Sequence, residues 1–183
     1  MSEDGPKRQR PNVLITGTPG VGKTSTASLI SERVGLQHVN VGELIVQHQC
    51  YEGRDEDLDT NVLDEDKLLD VMEVILDKAA EDGTGIVADF HMCEIFPERW
   101  FDLVLVLRAS TDVLFDRLTK RGYNEKKRSE NMEAEIMQVI LDEARESYAP
   151  EIVHEVPSNT LDDMETNGKR VAEWCKHWEK NNA

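Results

Sequence analysis

The chain has 183 residues, 39% of them hydrophobic, and its 37 Asp and Glu outnumber 21 Lys and Arg to give a formal net charge of −16. That length suits one domain able to close a single core, and so acidic a surface repels nucleic acid phosphates, which argues against direct, tight RNA or DNA binding. No apolar run approaches the roughly 20 residues of a membrane span, and the N-terminus carries no apolar signal segment, so the expected setting is cytoplasm or nucleus, away from membranes.

Residues 1–11 read as a flexible tail. Its basic cluster, Pro6-Lys7-Arg8-Gln9-Arg10, fits a nuclear-import signal or a merely solvated tail. From Asn12 onward a single domain, 12–183, is expected, in which short apolar runs alternate with helical patterns. This is the signature of an α/β domain with a mainly parallel sheet. Strands are predicted at 12–16, 36–39, 85–89, 103–107 and 152–156, most of them apolar on both faces as in a sheet covered by helices. Helices are predicted near 23–34, 42–49, 66–80, 111–121, 130–148 and 161–180. Ser110 and Ser129 stand where caps of the fourth and fifth are needed, and Thr160 with Asp163 opens the last. Two charged segments fall outside the alternation, an acidic loop at 51–61 and a loop at 122–128 holding Lys126, Lys127 and Arg128; both suit moving lids or ordinary exposed loops. Cys50, Cys93 and Cys175 are widely spaced, as reduced, buried thiols would be.

The chemistry starts at Ile15, where the sequence reads ITGTPGVGKTST. The spacing Gly17-x-x-x-x-Gly22-Lys23-Thr24 is that of a phosphate-binding P-loop between a strand and a helix. Backbone N–H groups at Gly20, Val21, Gly22, Lys23, Thr24 and Ser25 can converge on an anion where the helix also points its N-terminus. The Lys23 ammonium can reach the β- and γ-phosphates of ATP, and the Thr24 hydroxyl can ligate Mg²⁺. Asp89 ends the apolar strand Ile86-Val87-Ala88 and is the metal-side carboxylate candidate, unless it is a buried structural Asp. His91, two residues on, could orient or deprotonate an attacking water through a pKa near neutrality, or simply be hydrogen-bonded in its loop. Arg117 and Arg121 share a helix face, where arginine can stack on a base or fork onto phosphate oxygens; Arg108 is a weaker candidate.

The stretches NVLITGTPGVGKT, VNVGEL, LDEDKLLD, FPERWFD, LVLVLR, RGYNEKK and IVHEVPSN together resemble the nuclear adenylate kinase family, also known as the coilin-interacting nuclear ATPase. The resemblance runs from about Asn12 to Asn159. It implies a three-layer P-loop NTPase fold with a five-stranded parallel sheet, adenylate-kinase-like, with a short nucleoside-monophosphate-binding segment at about 40–63 and a lid at about 120–130. It also implies Mg²⁺-ATP-dependent phosphorylation of AMP with ATPase activity, and ATP contacts at Gly20, Gly22, Lys23, Thr24, Ser25 and Arg121. The D-x-H element of the family maps onto Asp89-Phe90-His91. The implied partner is a basic small-subunit ribosomal protein on the pre-ribosome, in late small-subunit maturation and pre-rRNA cleavage, with the protein a monomer in nucleus and cytoplasm. The alternative is an ATP-gated assembly factor with incidental kinase turnover. The sequence departs from many monophosphate kinases: Leu44-Ile45-Val46 stands where an arginine is common, and D-G-F-P-R is absent. Val41 and Gly42 then border the AMP site, and Arg54 or Arg99 is left to meet its phosphate. Thr160 replaces a lysine of some relatives.

Overall fold

Val13, Leu14 and Ile15 are fully buried because β1 (Val13–Thr16) is the middle strand of a five-stranded sheet of order β2-β5-β1-β6-β7. The computed structural model describes residues 7–57 and 60–183. The other strands are β2 (Gln37–Asn40), β5 (Ile86–Asp89), β6 (Leu103–Arg108) and β7 (Val153–Pro157), and every pairing is parallel. Side chains alternate between the faces, and both faces are covered. Leu14, Ala88, Val104 and Val106 pack on Leu68, Met72 and Leu76 of α3 (Glu65–Glu81) and on Leu141 and Ala144 of α6 (Val139–Ser147). Val13, Ile15, Val87, Leu105 and Leu107 meet Ala27 and Ile30 of α1 (Lys23–Val34), Leu114 and Leu118 of α4 (Thr111–Lys120), and Val171 and Cys175 of α7 (Leu161–Asn181). This is the three-layer P-loop architecture expected. Ile15 and Asn40 are both in register with Asp89, and Thr16 with Val106, so the strands end together along one edge.

Thr160 and Asp163 form a reciprocal capping box at the start of α7, and the three cysteines are free and buried. Four local expectations are corrected. The segment read as an acidic loop is an antiparallel hairpin, β3 (Tyr51–Asp55) with β4 (Thr60–Leu63), beside α2 (Val41–His48); its exposed charged residues hide the alternation that marks a half-buried strand. The basic loop is mostly helix. Asn124 accepts from the Lys127 N–H at 2.8 Å and starts α5 (Glu125–Ile136), so Ser129 lies inside a helix, and Lys127 and Arg128 sit over the Tyr123 and Phe115 rings. The long fifth helix is broken at Gln138, whose φ of 58° is left-handed and ends the run before α6. Ser110 precedes α4 but gives no cap, since its hydroxyl donates to Asp112 at 2.7 Å.

The tail is also less free than expected. Arg8 is ion-paired with Asp102, and Arg10 donates to Glu179 at 2.7 Å and to the carbonyls of Val34 and Gly35, the last turn and cap of α1. Residues 1–6 of the basic-tail reading lie outside the described residues.

Candidate active site

The loop between β1 and α1 turns on Gly17, whose φ is 149° and where a Cβ would stand 2.8 Å from the Leu107 carbonyl oxygen, so no side chain fits. Lys23 closes the loop: its ammonium donates to the carbonyls of Gly17 at 2.9 Å and Thr18 at 3.1 Å. Helix α1 begins after Gly22, which has φ 94° and no side-chain cap, so the first-turn N–H groups face the loop's concavity without a protein acceptor from the cap. Thr24 and Ser25 are exposed there, and the buried Thr18 hydroxyl has no hydrogen-bond partner among the described residues. Unsatisfied donors at a positive helix end fit a polyphosphate. Val21 is buried, its N–H turned to the Thr18 carbonyl at 3.3 Å and its carbonyl to the Ser158 hydroxyl at 2.6 Å, so it shapes the loop from behind.

Asp89 ends β5 beside this loop, buried, with His38 Nε2 at 3.3 Å from its Oδ2. Burial, then the Arg121 guanidinium, pushes the Lys23 ammonium down to about 8, against the pull of Asp89 and Glu135. Lys23 is therefore still charged at neutral pH, and these four groups share one electrostatic neighbourhood. His91 lies in it too: burial, then the Lys23 charge, pushes its imidazole down to about 4. That lies well below the near-neutral value of an unperturbed histidine. A neutral imidazole can hold a water by a hydrogen bond, but it is a weak proton acceptor. The Thr24 hydroxyl and the Asp89 carboxylate are hard oxygen donors of the kind Mg²⁺ takes.

A groove of about 450 Å³ runs from the loop between α4 and α7, lined by Gly20, Gly22, Arg117, Arg121, Ser158 and Leu161 among others. Arg121 sits at the end of α4 and faces it. Arg117 also lines the groove, but its fork donates to the carbonyls of Ser158 at 2.8 Å and Asn159 at 3.2 Å. Phosphate forking is therefore not its arrangement here; its guanidinium plane is left for stacking. The Thr160 hydroxyl is committed to the capping box. Arg108 is turned to α5, its Nε donating to buried Glu135 at 2.6 Å and its Nη2 to the Glu135 carbonyl at 2.8 Å.

On the acceptor side, Val41 and Gly42 start α2 immediately after Asn40, so they stand at the same strand edge as Asp89. Arg54 lies on β3 of the hairpin. Arg99 is not brought to the site. It occupies a short turn, Glu98–Trp100, whose carbonyls receive Arg8 and the side chain of Asn12, at the start of β1 and β6. That is the opposite edge of the sheet, roughly 13 Å of strand away. Sequence reasoning missed His38, Glu135, Ser158 and Leu161; only the pairing of distant segments places them.

Fold and site together define a P-loop protein with the architecture of the small kinases. A shikimate kinase from Bacteroides thetaiotaomicron shares the fold, with a TM-score of 0.53 at 14% identity over 91% of this chain and 98% of that one. A family model described as "AAA domain" matches residues 13–138. The chain is 49% identical to the adenylate kinase isoenzyme 6 homolog of Dictyostelium discoideum over 96% of its length and 98% of that protein. It is 47% identical to the Caenorhabditis elegans homolog over 91% and 90%. The chain belongs to the adenylate kinase isoenzyme 6 family.

Proposed function

We propose that the protein transfers the terminal phosphoryl group of ATP to AMP, giving two ADP, with slower transfer to water. The observation that carries this reading is the Lys23 ammonium held across the Gly17 and Thr18 carbonyls near Asp89, in a loop whose Gly20 and Gly22 line a groove of about 450 Å³. The first turn of α1 and Lys23 hold the phosphates, Arg121 lies where negative charge develops during transfer, and the groove between α4 and α7 takes the base. Thr24 and Asp89 would hold Mg²⁺, Asp89 partly through water, and the ion would supply charge neutralisation for the transferred group. Val41, Gly42 and Arg54 border the space for AMP. The test is to follow products from ATP alone and from ATP with each nucleoside monophosphate. Formation of ADP only at the rate seen without acceptor would reject the kinase reading.

His91 separates the two reactions. Because its imidazole is neutral and beside Lys23, it suits holding a water in place, a task that transfer to AMP does not need. His91→Ala is expected to cut hydrolysis on the order of tenfold while AMP phosphorylation falls far less, since only hydrolysis needs a water held in line. Asp89→Asn should lower both. Equal loss of the two activities in the His91 variant would reduce it to a structural histidine.

A second reading is favoured by the net charge of −16 and by the apolar stretch Leu44-Ile45-Val46 where an acceptor-side arginine is common. In it, ATP gates release of a basic small-subunit ribosomal protein during small-subunit maturation and pre-rRNA cleavage, in nucleus and cytoplasm, with the protein acting as a monomer. Such a partner should associate quickly at low salt and weaken as ions screen charges beyond about 10 Å. Its affinity should also differ between ADP and a non-hydrolysable ATP analogue, since nucleotide and partner affinities are reciprocally coupled. A titration at two salt concentrations with each nucleotide checks this; binding indifferent to both salt and nucleotide would leave a plain monophosphate kinase.

A further inference from the structure

Both residues assigned to the metal side receive a side-chain N–H from one strand end. Strand β2 finishes at Asn40, in register with Asp89. Two residues earlier, His38 Nε2 lies 3.3 Å from Asp89 Oδ2. Asn40 Nδ2 lies 3.5 Å from Thr24 Oγ1. An ionised carboxylate can only accept, so Nε2 carries the hydrogen. The Asn40 amide is oriented by its other atom: Oδ1 accepts the Glu43 N–H at 3.0 Å and caps α2, which leaves Nδ2 for Thr24.

We propose that His38 and Asn40 are positioning residues for the Mg²⁺ site, one holding the Asp89 carboxylate and the other the Thr24 hydroxyl. The proposal rests on the reading of Thr24 and Asp89 as the metal-side pair. Asp89 is buried at the end of a four-residue strand, and His38 is its one side-chain hydrogen-bond partner among the described residues. Without that donor the carboxylate is free to turn about its terminal torsion, which is broad for Asp. Thr24 stands in the first turn of α1, and an N–H received on one lone pair leaves the other directed at a cation. Partners behind a metal's direct ligands commonly matter about 10–100-fold in metal affinity. Since Asn40 also caps α2, the same amide ties the start of the acceptor segment, Val41 and Gly42, to the P-loop helix. That one strand end serves both sides follows from the β2–β5 pairing and from nothing local in sequence.

The test uses the full chain and a non-hydrolysable ATP analogue, measuring its dissociation constant by displacement of a fluorescent nucleotide, with Mg²⁺ and with EDTA. The quantity read is the gain in affinity that Mg²⁺ confers. His38→Ala is expected to shrink that gain about tenfold while the EDTA value stays at the parent's. His38→Gln should restore most of it, because the glutamine amide can present an N–H to Asp89. Asn40→Ser keeps a good helix cap but cannot reach Thr24, and should lose part of the gain. A parent-like gain in His38→Ala overturns the proposal, as does a glutamine variant no better than alanine, or an EDTA affinity that falls in parallel. Asp89→Asn separates the two levels of argument. If it keeps the full gain, or if the parent shows none, the metal-side reading falls and the proposal with it; if Asp89→Asn loses the gain and the His38 variants do not, the proposal alone is overturned.

Discussion

Replacing Lys23 by alanine is expected to lower phosphoryl transfer to AMP and to water together, by at least about a hundredfold in kcat, the usual scale for one lost transition-state contact. The reason is geometric. Lys23 is the cation that closes the loop on Gly17 and Thr18, and it is also the charge that Asp89, Arg121 and His91 feel. Both reactions place the same phosphoryl group there, so they cannot be separated by this side chain. Thr24→Ala should act in the same direction through the metal. Rates of both reactions are read side by side with a melting curve, to keep catalysis apart from folding. Either activity near the parent's rate in Lys23→Ala would put the site elsewhere.

Gly85→Ala is the largest expected effect on stability. A Cβ at Gly85 would stand 1.9 Å from the Pro11 carbonyl oxygen and 2.9 Å from its carbon. Neither backbone can yield easily: the Gly85 carbonyl accepts the Gln37 N–H at 2.9 Å, and the next residue, Ile86, donates its N–H to the Asn12 side chain at 3.0 Å. Overpacking of this kind costs about 3 kcal/mol or more, which for a chain of this size lowers Tm by roughly 10 °C. Gly53, with nothing within 4 Å of its Cβ position, is the control, and its alanine variant should melt within about 2 °C of the parent. Thermal unfolding of the pair checks the contrast; similar melting of both variants would contradict the tight entry of β5 beside the chain leading into β1.

The parts of the site that were legible are those in which a short stretch holds all the information. The loop from Gly17 to Thr24 is one, because its glycines, lysine and hydroxyl act on a single anion within eight residues. The buried strands are another, since their apolar runs have no other use. His38 was not legible, as its partner Asp89 is 51 residues away and meets it only through strand pairing. The break at Gln138 was hidden for a different reason. The run Ile136-Met137-Gln138-Val139 has no glycine or proline, and a left-handed Gln is disfavoured locally. Tertiary contacts override the local preference there, with Glu135 drawn to Arg108 just before the break. Arg99 failed in the opposite way: its residue type was suited to a phosphate, but the chain delivers it to the far edge of the sheet.

The two arginines that precede β1 are already held by acidic partners of the fold. Of the three basic residues between positions 7 and 10, Arg8 is engaged by Asp102 and Arg10 by Glu179 and the end of α1. A transport receptor that reads positive side chains on an extended strand would have to compete with those acidic partners for the same guanidinium groups. These two guanidinium groups become available to any other acidic surface only to the extent that their pairing with Asp102 and Glu179 opens.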